Sequence, residues 1–169
     1  IEIYQQTSST QDIARRMAEQ SGQAANGALA IADEQTAGRG RLGRRWSAPS
    51  GKALTFSRVC TDTTPGISPG ISSGSNIDLL TLAAAVAVAQ AIESLTKLDI
   101  QIKWPNDILI SGKKLAGILV ETFETHGRTC AIIGIGVNVT VDPGDLPDDV
   151  QNTATSISAH SRSIDRLLL

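Results

Sequence analysis

The sequence predicts an α+β domain built on a mixed, largely antiparallel sheet. Consecutive strand-like segments are joined by short turns, and two helical segments lie before and between them instead of alternating regularly with strands. The chain has 169 residues, of which 41% are hydrophobic and 19% charged, a composition typical of a globular domain. We therefore expect residues 1–169 to form a single domain.

The first elements are predicted to be a strand, a helix and two further strands. Residues 1–4 alternate as a strand does, and the hydroxyl side chains of residues 7–10 suit a helix N-cap. The apolar spacing then predicts a helix over 10–21. Short apolar runs at 28–32 and 53–59 have the length of strands.

The middle of the chain predicts a surface insertion followed by a core helix. Residues 60–76 are rich in Thr, Pro, Gly and Ser, which favours an irregular surface segment. Residues 79–95 are apolar on nearly every side, so we expect a helix that is buried all round. Its uninterrupted apolar part is shorter than the roughly 20 residues that cross a bilayer.

The remaining segments predict a run of antiparallel strands. Residues 100–104 alternate and stop at Pro105, and 107–110 resume the strand. Ser111, Gly112 and Lys113 form a hairpin signal before a strand over 114–121. A last strand is expected over 129–139, although glycines within it weaken a strand unless something must approach the backbone there.

Charge and cysteine content narrow the class of protein. The formal net charge is −2, which argues against a general attraction to nucleic acid or to a membrane surface. Cys60 and Cys130 lie far apart without metal or redox spacing, so we expect two buried, reduced thiols and a cytoplasmic protein. No signal peptide is visible after Ile1, and the apolar end at 167–169 suggests a piece cut from a longer protein.

Residues 37–46 (AGRGRLGRRW) are the most basic stretch, with four arginines among three glycines. Glycine lets a backbone approach a ligand, and guanidinium groups grip carboxylates and phosphates at two points, so we expect an anion-binding loop. The stretch also fits G-x-G-x-x-G, but the breaker-rich segment 46–51 follows where the dinucleotide motif needs a helix. An RNA-binding Arg/Gly tail and a merely solvated basic turn are also compatible with this stretch taken alone.

Further polar clusters stand at predicted strand ends or turns. Gln35 precedes the basic loop, residues 103–107 contain a lysine, an amide and a carboxylate, and Lys113 and Lys114 begin a strand. Together they offer cations for an anionic ligand and a carboxylate for hydrated Mg²⁺ on a nucleotide. The sequence has no P-loop motif.

Five motifs, in order and spacing, resemble biotin protein ligases, and the match covers most of the chain. The motifs are Ser9-Thr10, 35–44 (QTAGRGRLGR), 103–107 (KWPND), 114–121 (KLAGILVE) and 134–138 (GIGVN). The resemblance implies the biotin and lipoate ligase catalytic fold, similar to class II aminoacyl-tRNA synthetases. The DNA-binding and small β-barrel domains that some relatives carry are not seen in these 169 residues.

The resemblance implies an ATP-dependent ligase that works in two steps. Biotin carboxylate attacks the α-phosphorus of ATP to give biotinyl-5′-AMP and pyrophosphate, with Mg²⁺ as the metal. A lysine amine of a biotin carboxyl carrier protein domain then displaces AMP. The resemblance allows a homodimer and implies no membrane and no nucleic acid bound through this domain.

The resemblance also implies roles for individual residues. Lys114 would be the principal catalytic residue, with Arg41 and Lys103 beside it, and Asp107 would serve the metal or the adenine. The family often has Asn at the position of Gln11, so a backbone amide is the alternative contact there. Biotin would be bound by Ser9, Thr10, Gln11, Gln35, Gly38, Arg39, Gly40, Arg41, Lys114, Gly117 and Gly134, and ATP by Arg44, Trp46, Lys103, Asn106 and Asn138.

Two further functions stay open from the sequence. A lipoate-type protein ligase would use the same adenylation chemistry on a different acid. A biotin-responsive transcriptional repressor would need a DNA-binding domain outside these residues.

Overall fold

The computed structural model describes residues 1–61 and 74–161, and only the backbone of 74–76. Seven strands form one sheet, packed by helices. The elements are β1 (Glu2–Thr7), α1 (Thr10–Ser21), β2 (Leu29–Gln35), β3 (Ala53–Thr61), α2 (Gly74–Thr96), β4 (Gln101–Lys103), β5 (Asp107–Ile110), β6 (Lys113–Thr125), β7 (Arg128–Asn138) and α3 (Asp148–Gln151).

The sheet order is β1-β2-β3-β7-β6-β5-β4. β1 and β2 are parallel and joined by α1, and every other neighbouring pair is antiparallel. The predicted mixed, largely antiparallel α+β class is therefore confirmed. Residues 62–73 of the expected insertion and the apolar end at 167–169 lie outside the described residues.

α1 begins and ends where its sequence predicts. Ser9 is the N-cap residue, with extended backbone angles and a side-chain oxygen that accepts from the Gln11 amide. Gly22 ends the helix at φ 52°, a conformation that glycine adopts without strain. Ala14 and Ala18 are fully buried and lie with Ala30 in the cluster that joins α1 to the sheet.

The two faces of the sheet carry different cores. Because side chains alternate along a strand, Ser57 and Val59 face α1, whereas Phe56 and Cys60 face the opposite side. The α2 side holds the larger core, which includes Ile92 of the helix and Leu115 and Ile118 of β6. The α1 side is thinner, which leaves room on it for a site.

α2 is longer than predicted and is not buried all round, so that expectation was wrong. Leu79 is 64% exposed and Leu95 45% exposed, while Ala85 and Ile92 face the sheet. Apolar composition on every side led to the prediction, but one sheet covers only one side of a helix. By length and composition alone, residues 77–96, with mean hydropathy 1.6, match a membrane-crossing helix.

Both cysteines are buried, as predicted, and no disulfide joins them. Cys60 packs on the α2 side, and Cys130, which is opposite Thr61 in the β3–β7 register, faces the α1 side. Burial raises the pKa of the Cys60 thiol, and this outweighs the opposing effect of Arg58, which donates to Sγ at 2.7 Å. A raised thiol pKa keeps this cysteine protonated and poorly reactive near neutral pH.

The packing predicts a large difference between two leucine-to-alanine substitutions. Leu115→Ala removes a fully buried side chain of the larger core and should lower the free energy of unfolding by about 2–5 kcal/mol. Leu79→Ala, the matched control on the exposed side of α2, should change it by less than about 0.5 kcal/mol. Urea denaturation of both variants measures this, and equal losses would contradict the assignment of the core.

Candidate active site

Three glycines leave a bare strip on the α1 face of the sheet. Gly117 of β6 lies opposite Gly136 of β7, and Gly134 lies two residues along β7 on the same face. A Cβ at Gly136 would meet the Trp46 ring at 2.4 Å, and one at Gly134 would meet Gln11 at 3.1 Å. The glycines thus allow other groups to lie directly on the backbone.

A buried hydroxyl and amide network stands beside the strip at the start of α1. Gln35 Oε1 accepts from the Thr10 amide at 2.7 Å and from Thr10 Oγ1 at 3.0 Å. The same hydroxyl lies 2.8 Å from Ser57 Oγ, and Ser9 is buried next to it as the helix cap. Backbone amides and hydroxyls meet here at a helix N-terminus, where donors are plentiful.

Gln11 reaches from α1 over Gly134. Its Nε2 donates to the Leu119 carbonyl at 3.2 Å, while its buried Oε1 has no hydrogen-bond partner. A buried acceptor without a donor is costly unless a ligand supplies one. The side chain therefore enters the site.

Lys114 lies at the other end of the strip. Its Nζ forms a 2.6 Å ion pair with Asp107 Oδ1, and its side chain borders Gly117. The register of β5 against β6 pairs Ile108 with Ala116 but Leu109 with Lys114, so one residue of β6 is bulged out. Bulges re-aim side chains near active sites, and this one sets the position of Lys114.

Trp46 covers the middle of the strip. Its ring lies on Gly136 and reaches Gly117, and its indole Nε1 is buried without a hydrogen-bond partner. The backbone of Trp46 is fixed by its amide, which donates to the Gly38 carbonyl at 3.0 Å. A ligand that lies on these glycines must therefore share or take the space of the indole.

The basic segment 38–46, hereafter the Arg/Gly loop, is a narrow ribbon closed by a turn. The Gly40 amide donates to the Arg44 carbonyl at 2.8 Å, and Arg39 bridges to Arg45. No helix follows, since residues 44–50 show a single bridge and no helical turn. The absence of the helix that a dinucleotide fingerprint requires excludes that motif here.

A cleft of about 690 Å³ lies along the outer side of the Arg/Gly loop. It is bordered by the loop arginines, by Asp12 of α1, by Glu121 of β6 and by the first part of α2. The cleft is separate from the glycine strip, because Gln11, Trp46 and Lys114 fill the space above the glycines.

Arg39 does not point along the strip. Its Nη1 lies 2.6 Å from Asp12 Oδ1, its Nη2 lies 3.0 Å from Glu121 Oε2, and its Nε lies 3.3 Å from Glu121 Oε1. Burial acts to lower the pKa of Arg39, but hydrogen bonds and attraction from both carboxylates outweigh it and raise the pKa overall. Arg41 and Arg44 line the cleft.

The residues predicted for ATP lie in several places. Asn138 is buried, with Nδ2 donating to the Thr155 carbonyl and Oδ1 unpaired. Asn106 donates to the Ile118 carbonyl at 3.1 Å and so fastens the β4–β5 turn to β6. Lys103 ends β4 on the surface.

The sequence did not single out Ser57, Asp12 or Glu121. Ser57 is fully buried against Thr10, and the two carboxylates hold Arg39. The alternation of β3 places residue 57 on the α1 face together with Thr55 and Thr61, so a row of buried hydroxyl residues on one face of the strand was the available signal. The two carboxylates had no comparable signal, because they come together only through tertiary packing.

Comparison with known proteins shows to which family this chain belongs. The model of the Biotin/lipoate A/B protein ligase family matches residues 3–138, which include α1, the Arg/Gly loop and the glycine strip. The chain belongs to this family.

Members of the ligase family resemble the chain in sequence and in fold. The Bifunctional ligase/repressor BirA of Bacillus subtilis (strain 168) is 44% identical over 161 residues, which are 94% of this chain and 46% of that protein. The biotin protein ligase from Aquifex aeolicus, solved in complex with biotin and ATP, superimposes with a TM-score of 0.76 at 27% identity. That alignment covers 98% of this chain and 63% of the other.

A further ligase structure was solved with the adenylate. The biotin protein ligase from Leishmania major in complex with biotinyl-5-AMP superimposes with a TM-score of 0.75 at 27% identity. The alignment covers 99% of this chain and 69% of the other. The chain spans about half the length of the Bacillus subtilis ligase that it matches.

The contact between Trp46 and the strip predicts the effect of Gly136→Ala. The new methyl group would lie 2.4 Å from the indole, so Trp46 should be displaced and its fluorescence emission should shift to longer wavelength. The measurement is made in a Trp104→Phe background, because Trp104 is 69% exposed and emits as a solvated residue. Gly144→Ala, whose methyl group would meet only ordinary contacts, is the control and should leave the emission unchanged. An unshifted Gly136→Ala spectrum would contradict the position of Trp46.

Proposed function

We propose that this domain activates biotin with ATP to biotinyl-5′-AMP and transfers the biotinyl group to a lysine of a biotin carboxyl carrier protein domain. The observation that carries the proposal is the placement of Lys114 at one end of a strip of glycines, which have no side chains of their own, with the α1 N-terminus at the other end. Relatives solved with biotin and ATP and with biotinyl-5-AMP support it.

Biotin is proposed to lie along the strip beside α1. Thr10, Gln35 and the Ser9 cap supply buried hydroxyl, amide and backbone donors, and Gln11 Oε1 supplies an unpaired acceptor. A bicyclic urea needs both donors and acceptors. The backbone N–H and C=O groups of the strip point to neighbouring strands, so its face suits the carbon skeleton of biotin. Gly117 and Gly134 add no side chain that would block biotin, and Gly38 and Gly40 are proposed to contact it through their backbone.

The first step joins a carboxylate to a polyphosphate, so like charges must be brought together. The biotin carboxylate oxygen attacks the α-phosphorus, the bond to the bridging oxygen breaks, and pyrophosphate leaves with the electron pair. Lys114 is proposed to neutralise both reactants, with Arg41 and Lys103 as further cations. Because this chemistry is mainly positioning and charge stabilisation, no nucleophile from the protein is needed.

ATP is proposed to lie over the middle of the strip and toward the loop. Trp46 Nε1 and Asn138 Oδ1 are buried polar atoms without partners that a base or ribose can satisfy, and Arg44 lines the cleft for the phosphates. Asn106 is proposed to assist at the neighbouring turn.

A hydrated Mg²⁺ fits the acidic groups only as an ion held mainly by the nucleotide. Among the residues that the structure describes, no group of three or more His, Cys, Asp or Glu side chains could cage an ion. Asp107 offers one carboxylate, and magnesium on a nucleotide is usually held by one or two carboxylates together with the phosphates. When bound, the ion would draw charge from the leaving pyrophosphate.

The second step attaches biotin to the carrier. The neutral lysine amine attacks the acyl carbon of the adenylate, an amide bond forms, and AMP leaves with the electrons of the mixed anhydride. The adenylate hydrolyses if water reaches it, so the Arg/Gly loop is proposed to cover it until the carrier arrives.

A cytoplasmic site of action is consistent with two buried cysteines that form no disulfide. The repressor part of the Bacillus subtilis name is not carried over, since under half of that protein aligns.

Pyrophosphate release that depends on biotin tests the proposal. The protein with ATP and Mg²⁺ should release pyrophosphate when biotin is added, and lipoate should neither replace biotin nor compete with it at equal concentration. Lys114→Ala should slow release about 10²- to 10³-fold, as expected when one group that stabilises the developing charge is removed. Lys113→Ala, its exposed neighbour on β6, is the matched control and should retain the rate. Release driven by lipoate would establish a lipoate ligase instead.

A further inference from the structure

We infer that Arg39 is the positioning residue that holds the Arg/Gly loop closed, by pairing with Asp12 of α1 and Glu121 of β6. The proposed consequence for the reaction, retention of the adenylate, rests on the proposed function. The closed position itself rests only on the contacts of the loop.

All three nitrogens of the Arg39 guanidinium are committed to these carboxylates. Nε and Nη2 donate to the two carboxylate oxygens of Glu121 in a forked arrangement, and Nη1 donates to Asp12. Forked arginine–carboxylate pairs fix geometry as well as charge. Three of the five N–H donors of this side chain are used here, so the two carboxylates fix the position of the guanidinium.

The two carboxylates belong to different elements, and this makes the contact a clamp. Asp12 lies in the first turn of α1, and Glu121 lies in β6. Arg39 stands at the base of the ribbon, bridged to Arg45, whereas the tip residue Leu42 is 89% exposed. Fixing the base against two elements fixes the direction of the ribbon, which includes Arg41 and Arg44.

The charges of Asp12, Glu121 and the loop arginines couple closing of the Arg/Gly loop to the binding of an anionic ligand, so that each favours the other. With the loop away, Asp12 and Glu121 would leave two negative charges at the mouth of a site for an anionic ligand. Closing the loop neutralises them with Arg39 and brings further arginines to the cleft. The pairs are partly exposed, so they hold the loop only moderately and still let it open for biotin to enter.

Amide hydrogen exchange of the protein without ligand tests the clamp and does not depend on ligase activity. The Gly40, Arg44 and Trp46 amides are bonded within the ribbon, and a ribbon detached from the sheet would lose them, because short isolated ribbons are unstable. In the double variant Asp12→Asn and Glu121→Gln, exchange over residues 38–46 should be roughly two- to tenfold faster than in the wild type. The exchange rate of Arg39→Lys, which keeps the charge but not the forked geometry, should lie between those of the wild type and the double variant.

Glu19→Gln is the matched control, because it breaks the exposed Arg15–Glu19 ion pair at 2.9 Å on the same helix. It should leave exchange over 38–46 unchanged. Exchange of the β3 and β7 peptides should stay at the wild-type rate in every variant. Salt at about 1 M should speed loop exchange in the wild type and not in the double variant, since screening acts on the ion pairs. Equal loop exchange in wild type and double variant, or equal sensitivity to salt, would overturn the inference.

Release of preformed biotinyl-5′-AMP gives the functional readout. The double variant should lose the adenylate faster by the same factor as its loop exchange. If the wild type forms no adenylate, the proposed function fails, and the exchange experiment still decides the clamp. If adenylate release is unchanged while loop exchange is faster, the role of the clamp in retention is overturned.

Discussion

The site depends on one steric constraint, namely the absence of side chains at Gly117, Gly134 and Gly136. A single Cβ at Gly136 would overlap the indole that rests there, and one at Gly134 would press on Gln11. These glycines weaken β6 and β7 as strands, yet both strands lie inside the sheet with a partner on each side. The rest of the sheet supplies the stability that lets a bare patch of backbone persist.

The second organising feature is the separation of polar and charged groups around that patch. Hydroxyls and amides gather at the α1 end, with Thr10 and Gln35 fixed to each other, while Lys114 stands at the opposite end beside Asp107. The arginines are carried by the Arg/Gly loop instead of the sheet. This separation suits a ligand with a neutral ring at one end and anionic groups at the other, which must be covered after it binds.

The sequence predicted the elements well because their local signals agree with their tertiary environment. α1 begins after capping hydroxyls that precede residue 10, and it ends before Gly22. The turn at Ser111 and Gly112 joins β5 to β6 as predicted. The burial of α2 could not be predicted correctly, since composition does not reveal how many layers cover a helix. The bulge that aims Lys114 depends on a strand register that local sequence does not set.

The site residues divide in the same way. Motifs that are contiguous in sequence pointed to Gln35, the loop and Lys114, which the fold places around one strip. Ser57 was missed because its role exists only through a contact 47 residues away along the chain. The partners of Arg39 were missed for the same reason, so an arginine interpreted as a biotin contact has its side chain on two carboxylates instead.

The proposed position of the adenylate on the glycine strip is tested most directly by calorimetric titration with a non-hydrolysable analogue of biotinyl-5′-AMP. We expect one binding site in the wild type and at least about tenfold weaker binding by Gly134→Ala, whose methyl group takes the space above β7. Unchanged thermal stability of the variant would show that the loss is local. If a folded Gly134→Ala variant binds the analogue as tightly as the wild type, the ligand lies elsewhere and the glycine strip is not its site.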